Sequence, residues 1–222
     1  MSISQRITEI TSQLPDTTRL VAVSKFHPAE AVLEAYHAGQ RIFGESRVQE
    51  LIEKKEQLPS DIQWHFIGHL QTNKIKYILP FVDLIHGVDS YKLLNAIDKE
   101  AAKDERRVRV LLQVHIAQEE TKFGFTPEEC LRFFEEGLWK TCSSVEISGL
   151  MGMATYTEDK EQIRKEFHSL ASLYKKVKND YFVDTNSFSE LSMGMSDDYR
   201  IAMEESSTLI RIGSSIFGER QY

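Results

Sequence analysis

The clearest strand in the sequence is the apolar run Val108-Arg109-Val110-Leu111-Leu112-Gln113-Val114-His115-Ile116. Seven other short apolar runs occur along the chain, and each precedes an amphipathic stretch or a helical turn, as in proteins with alternating strands and helices. These runs cover residues 20–25, 41–45, 64–68, 84–88, 145–150, 190–193 and 209–212. The alternation predicts an α/β protein with eight strands.

The predicted fold is a single (β/α)8 TIM barrel over residues 1–222, because no Pro-, Gly- or Ser-rich linker divides the chain. Such barrels typically have ~250 residues and at least ~200, so this chain is a compact example. An extra N-terminal helix over residues 3–14 is expected to cover the bottom or side of the barrel. An open doubly wound sheet is the alternative topology.

The composition excludes several classes of partner. The chain has 27 Lys and Arg against 34 Asp and Glu, a formal net charge of −7, which disfavours general binding to nucleic acid. No apolar run approaches the ~20 residues of a membrane span, and the first residues carry no signal peptide. Cys130 and Cys142 form no CxxC motif, and the histidines show no metal-ligand spacing. We therefore expect a cytoplasmic protein with reduced thiols and without a metal site, a nucleic-acid partner or a membrane partner.

Two cationic residues are candidates for chemistry. One lies at the end of a strand, where the barrel fold places functional groups, and the other lies within a strand. Lys25 follows the first strand on the same face as Val21 and Val23, and burial would lower its pKa and make it nucleophilic toward an aldehyde. The alternative is a lysine that extends to solvent. Arg211 lies within the last strand, where it either binds a ring nitrogen or a phosphate, or pairs with an acidic residue such as Glu45.

Two adjacent loops suit a phosphate. Gly213-Ser214-Ser215 follows the eighth strand, and Ser192-Met193-Gly194-Met195-Ser196 follows the seventh. Glycine allows close approach of the backbone, serine supplies hydroxyl and N–H donors, and the loops after strands seven and eight are a common phosphate site in this fold.

Six stretches of the chain, in order over nearly its whole length, resemble the pyridoxal phosphate homeostasis proteins. They are Val23-Ser24-Lys25, Phe43-Gly44-Glu45-Ser46-Arg47-Val48-Gln49-Glu50, Trp64-His65-Phe66-Ile67-Gly68-His69-Leu70-Gln71-Thr72-Asn73-Lys74, Gly149-Leu150-Met151-Gly152-Met153-Ala154, Leu191-Ser192-Met193-Gly194-Met195-Ser196-Asp197-Asp198 and Arg211-Ile212-Gly213-Ser214-Ser215-Ile216-Phe217-Gly218. That family is similar to the barrel domain of bacterial alanine racemase. Three positions depart from its usual pattern: Ser46 replaces Asn, His69 replaces Pro and His115 replaces Asn.

The resemblance implies that pyridoxal 5′-phosphate (PLP) is the cofactor. By this resemblance, Lys25 would hold PLP covalently as a Schiff base, and Arg211 would face the pyridine nitrogen. The phosphate would be held by Ser192, Gly213 and Ser214. The expected partners are PLP and free amino acids, and the expected state is a monomer.

The same resemblance implies a carrier or regulator of PLP rather than an efficient enzyme. A cationic Arg211 disfavours protonation of the pyridine nitrogen, which makes the ring a weaker electron sink. Racemisation needs an acid–base group on each face of the α-carbon, and in alanine racemase the second comes from an extra domain, for which 222 residues leave no room. The expected role is vitamin B6 homeostasis and amino- and keto-acid balance. The alternatives are a PLP-dependent racemase or transaminase of low, narrow activity, and a phosphate-binding barrel enzyme without PLP.

Overall fold

In the computed structural model, which describes residues 1–119 and 123–218, eight parallel strands form a closed barrel in the order β1 to β8. The strands are β1 (Arg19–Val23), β2 (Ile42–Glu45), β3 (Gln63–Phe66), β4 (Leu84–Val88), β5 (Val108–Gln113), β6 (Val145–Met151), β7 (Glu190–Ser192) and β8 (Leu209–Ile212). Pairing of β8 with β1, with Arg19 opposite Leu209 and Val21 opposite Arg211, closes the sheet. The predicted barrel is confirmed, and the open doubly wound sheet is wrong because that fold leaves its edge strands unpaired.

Helices follow the strands and form the outer layer of the barrel. They are α1 (Ile3–Ser12), α2 (Ala29–His37), α3 (Val48–Gln57), α4 (Ile75–Ile78), α5 (Tyr91–Lys103), α6 (Pro127–Glu135), α7 (Lys160–Tyr181), α8 (Tyr199–Glu204) and α9 (Ser214–Phe217), with 3₁₀ turns at Thr72–Lys74 and Leu138–Thr141. The N-terminal α1 contacts α2 and α9, where the Arg6 guanidinium donates to the Ile216 carbonyl oxygen at 3.0 Å. The extra helix therefore covers the side of the barrel.

Three predicted strands, the first, third and fifth, extend two or three residues past the observed carboxyl ends, the third being predicted to Gly68 and ending at Phe66. The first ends at Val23 because the chain turns there, with the His27 N–H donating to the Ser24 carbonyl oxygen at 3.1 Å. The fifth ends at Gln113, and Val114 beyond it forms an isolated bridge with Phe125. Past β5 the apolar pattern continues through Val114 and Ile116, whereas the predicted first strand included the polar Ser24 and Lys25. The sequence pattern therefore placed these boundaries too late.

Apolar residues fill two separate regions of the core. Alternation along β1 sends Leu20 and Ala22 outward into the large core between the sheet and the helices, and sends Val21 inward. The inner cluster consists of Val21, Leu84, Leu111, Met151 and Leu209. None of the helices in the described part of the chain has the length and apolar content needed to cross a membrane.

Backbones of neighbouring turns touch at one side of the barrel's upper rim. A Cβ atom added to Gly68 would lie 2.3 Å from the Ser46 carbonyl oxygen, and one added to Gly87 would lie 2.6 Å from the Gly68 carbonyl oxygen. Both distances are far below van der Waals contact, so these positions exclude any side chain. The end of β4 and the turns after β2 and β3 thus pack backbone against backbone.

Candidate functional site

One pocket lies at the carboxyl ends of β1 and β8, where the barrel fold places its functional groups. It brings together four of the five predicted site residues: Lys25, Arg211, Gly213 and Ser214. The other residues lining it are Val23, His27, Tyr156, Met195, Ser196, Asp197 and Gly218. Two grooves elsewhere on the surface contain none of these residues, so the chemistry of the lining selects this pocket.

Lys25 lies in the turn that connects β1 to α2, two residues beyond the end of the strand. It is half-buried, so the prediction of a partly desolvated lysine agrees with its position. The next residue, Phe26, has a left-handed backbone with φ of 67°. Its ring lies under the Arg47 guanidinium, whose central carbon is 4.5 Å from the ring centroid. The turn is therefore fixed by contacts on the residues adjacent to the lysine.

Arg211 points into the barrel and is buried beneath the pocket. Its Nη2 donates to the Gly152 carbonyl oxygen at 3.0 Å, and its Nη1 donates to the Ser192 hydroxyl at 2.5 Å. Burial lowers the pKa of Arg211 to about 10, and the Asp198 carboxylate opposes that shift. The guanidinium remains protonated at neutral pH. The alternative pairing with Glu45 is wrong, because the Glu45 carboxylate accepts from other groups on the outer face of β2 (described below).

Ser192 lies below the pocket rather than on its wall. It is fully buried at the end of β7, and its hydroxyl contacts Arg211 and His86. The hydroxyl that lines the pocket from the same segment is that of Ser196, whose Oγ is 3.0 Å from the Oγ of Ser214. The loops after β7 and β8 therefore place two serine side chains in contact at the pocket, as the sequence predicts for this pair of loops.

A chain of buried hydrogen bonds extends from Arg211 down the barrel interior. The Ser192 Oγ is 3.0 Å from His86 Nδ1, and His86 Nε2 is 2.9 Å from His65 Nδ1. Because Arg211 can only donate, Ser192 accepts from it and donates its own proton to His86 Nδ1. His86 then carries its proton on Nε2 and donates to His65 Nδ1. Every donor between Arg211 and His65 then has an acceptor.

Both imidazoles in this chain are neutral. Burial, with smaller contributions from the nearby Arg19 and Arg109 guanidinium groups, lowers the pKa of His65 to about 3. Burial also holds the pKa of His86 well below its usual value, with additional contributions from His65 and Arg211. Neutral imidazoles can each donate and accept one hydrogen bond, which the directed chain requires.

The pocket has the chemistry to hold PLP, which carries a phosphate dianion, an aldehyde and a pyridine nitrogen. Lys25 supplies an amine, Arg211 a buried cation, and Ser196 and Ser214 supply hydroxyl groups. Helix α9 begins at Ser214, and the first N–H groups of a helix have no partners within the helix. The donor set therefore fits an anionic ligand with an electrophilic carbon.

Sequence reasoning missed His27, Tyr156 and Asp197 as lining residues. The one feature of the sequence that points to these residues is their position, because each lies in a loop that follows a strand at the carboxyl end of the barrel. The two histidines that depart from the family pattern are not among the lining residues. Instead, His69 contacts the Asp89 carboxylate at 3.0 Å, and His115 has a buried Nε2 without a hydrogen-bond partner in the described part of the chain.

The same barrel fold occurs in known proteins. A family model described as the alanine racemase N-terminal domain matches residues 1–221. A pyridoxal phosphate homeostasis protein of Aquifex aeolicus is 40% identical over 219 residues, which cover 98% of this chain and 94% of the relative. This chain belongs to the pyridoxal phosphate homeostasis protein family. The human pyridoxal phosphate homeostasis protein is 39% identical, with 92% of this chain and 77% of the relative covered.

Solved structures give the same result. PipY of Synechococcus elongatus PCC7942, solved with PLP bound, has a TM-score of 0.88 and 35% sequence identity, covering 98% of this chain and 100% of PipY. Its structure without PLP has a TM-score of 0.91. An alanine racemase of Clostridium difficile 630 has a TM-score of 0.78 with 15% identity, and this chain covers 56% of it. That last likeness shows a shared barrel fold between the homeostasis protein family and alanine racemase.

Proposed function

We propose that this protein binds PLP in the pocket between β1 and β8 and takes part in PLP homeostasis. The observation that carries the proposal is the convergence of Lys25, Arg211, Gly213 and Ser214 on that one pocket. The names of its relatives and the PLP bound to PipY support the choice of ligand. The proposal includes a cytoplasmic location, a monomeric state and one domain over residues 1–222.

Lys25 is the proposed point of covalent attachment. Lys25 would hold PLP through its amine, which would form a C=N bond with the aldehyde carbon while the aldehyde oxygen leaves as water. The Ser196 and Ser214 hydroxyls and the backbone at Gly213 are proposed to bind the phosphate. Ser192 is proposed to act on PLP indirectly, through Arg211, because its hydroxyl fixes the direction of the Arg211 guanidinium.

Arg211 is proposed to face the pyridine nitrogen. When bound, PLP supplies an electron sink for carbanions, and that sink is strong only when its ring nitrogen is protonated. A guanidinium that stays protonated near this nitrogen repels a second positive charge. The protein therefore holds the cofactor in a form that binds amines but stabilises carbanions poorly. This supports a role in the balance of B6 vitamers and of amino and keto acids rather than efficient racemisation.

The test of PLP binding is a visible spectrum and an intact mass before and after borohydride reduction. We expect a yellow protein whose reduced adduct maps to Lys25. The Lys25→Ala variant should fold, as judged by thermal unfolding, and should lack the adduct, whereas Lys55→Ala, which removes an exposed lysine, should keep it. An unchanged visible band in folded Lys25→Ala would refute the attachment. Deletion of the gene should change cellular vitamer and amino-acid pools, and wild-type protein but not Lys25→Ala should restore them.

A slow amino acid racemase is the second candidate, because Tyr156 lines the same pocket as Lys25 and its phenol is an acid–base group. Incubation with L-alanine in deuterated water separates the two candidates by following chirality and α-proton exchange. We expect no racemisation above that of free PLP. Turnover at enzyme-like rates of ~1–10³ s⁻¹ that disappears in Tyr156→Phe would establish the enzyme instead.

A further inference from the structure

A buried ionic cluster lies on the outer face of β1 and β2, directly beneath the Lys25 turn. Its centre is Lys54 of α3, whose Nζ donates to the Glu45 carboxylate, the Glu50 carboxylate and the Ser24 carbonyl oxygen, each at 2.7 Å. The Ser24 hydroxyl donates to the same Glu45 oxygen at 2.6 Å. Lys54 and Glu45 are almost completely buried, and burial raises the pKa of Glu45 to about 7.

The cluster contacts the backbone on both sides of Lys25. Before the lysine, Lys54 binds the Ser24 carbonyl oxygen. After the lysine, the Phe26 N–H donates to the Glu50 carboxylate at 2.6 Å. Both contacts come from α3, which packs outside the sheet, so they leave the pocket face of the turn open to the lysine side chain.

The conformation that these contacts hold is strained. Phe26 has a φ of 67°, a left-handed conformation that is unfavourable for a residue with a bulky side chain. Such a conformation persists only when surrounding contacts impose it. The Glu50 contact acts on the Phe26 N–H itself.

We propose that Lys54, Glu45 and Glu50 are positioning residues for Lys25, and that they impose the strained turn that directs the lysine amine at the aldehyde of PLP. The inference rests on the proposed function, because it assigns these residues to the attachment step at Lys25. The buried ion pair between Lys54 and Glu45 is costly to form in an apolar environment. Its direct contact with the lysine turn explains its presence at this place in the barrel.

The test compares Glu50→Ala with Glu50→Gln, since the glutamine amide oxygen can still accept from the Phe26 N–H and from Lys54. Glu50 is partly exposed, so its replacement leaves the buried pair in place. At saturating PLP, we expect Glu50→Ala to slow formation of the borohydride-trapped Lys25 adduct by at least about tenfold, the scale of a displaced reactive group. Glu50→Gln should restore most of the rate.

The affinity for pyridoxine 5′-phosphate separates two kinds of defect. A general structural defect in the pocket would weaken binding of this analogue, whereas misplacement of the Lys25 amine alone would not. This analogue has the ring and phosphate of PLP but an alcohol in place of the aldehyde, so it cannot react with Lys25. We expect its Kd to be equal in wild type, Glu50→Ala and Glu50→Gln. Glu56→Ala, which removes an exposed carboxylate from the same helix, is the control for charge and should match wild type in every measurement.

Three outcomes decide the inference. A slower adduct with unchanged analogue binding supports it. An adduct rate in Glu50→Ala equal to wild type overturns it, and so does an equal loss of adduct rate and analogue affinity. Failure of wild-type protein to form any adduct at Lys25 would refute the proposed attachment instead, so the two failures are distinguishable.

Discussion

Replacing Ser192 by alanine removes one hydroxyl from the interior of the barrel and breaks two hydrogen bonds. The Arg211 Nη1 loses its acceptor at 2.5 Å, and His86 Nδ1 loses its donor at 3.0 Å. Arg211 keeps its bond to the Gly152 carbonyl oxygen, so the guanidinium stays in the barrel but is held at one nitrogen instead of two.

The cost follows from burial and charge. A hydrogen bond to a charged group contributes about 1.5–3 kcal/mol, and alanine offers no replacement acceptor at this fully buried position. Loss of the neutral bond to His86 adds about 0.5–1.5 kcal/mol, so the free energy of unfolding should fall by about 2–4.5 kcal/mol. For a domain of this size, each kcal/mol corresponds to ~2–4 °C in Tm, which predicts a decrease of about 4–18 °C.

The matched control is Ser207→Ala. Ser207 is also buried beside β7, but its hydroxyl donates to neutral backbone carbonyls, the nearest being that of Met193 at 2.8 Å. A neutral bond contributes about 0.5–1.5 kcal/mol, so this variant should be less destabilised. Denaturant unfolding of both variants measures the difference, and titration with PLP should show weaker binding in Ser192→Ala alone. Equal destabilisation of the two variants, with PLP affinity unchanged in both, would refute the positioning role of Ser192.

Three further predictions follow from the pocket and the core. Ser214→Asp places a carboxylate against the phosphate and should weaken PLP binding well over about tenfold, with little effect on pyridoxal, which lacks the phosphate; equal losses would place the phosphate elsewhere. His65 has a pKa of about 3 in the folded protein against 6.5 as its ordinary value, so its contribution to stability is present above pH 6.5 and lost as the pH falls toward 3. His65→Gln should therefore flatten the acid side of the unfolding free-energy profile by up to about 1.4 kcal/mol per pH unit, whereas the exposed His37→Gln should not. Burial raises the pKa of the Cys130 thiol to about 12, so it should resist a thiol reagent at pH 8 until the protein is unfolded; rapid reaction of native protein would contradict this.

The sequence predicted most of the fold because strand and helix periodicities repeat regularly along the chain. All eight strands are present, and β5 is nearly continuous in its apolar character. The errors lie at the ends of β1, β3 and β5, and past β3 and β5 apolar residues continue beyond the strand. A hydrophobicity pattern reports burial, and buried residues can also belong to a turn.

The site was predictable in its position but not in its internal contacts. Lys25 and Ser214 could be placed because strand ends converge at one face of a barrel. The role of Ser192 could not be predicted, because its partner His86 lies 106 residues away in the chain and on another strand. The link between Lys54 and Glu45 was missed for a different reason: the exposed charged residues beside Lys54 on the helix, Glu53, Lys55 and Glu56, gave no sign that Lys54 itself is buried.

The backbone contacts at Gly68 and Gly87 divide the mouth of the barrel into two unequal sectors. On the side of β2 to β4, the backbones at Ser46, Gly68 and Gly87 are in contact and form a seam that leaves no space for a new side chain. Even Gly68→Ala would force two turns apart. On the side of β6 to β8, the loops contribute the exposed side chains of Tyr156, Met195 and Ser214 to the pocket. A programme of directed evolution aimed at a different aldehyde ligand should therefore confine its libraries to the second sector and leave the seam intact.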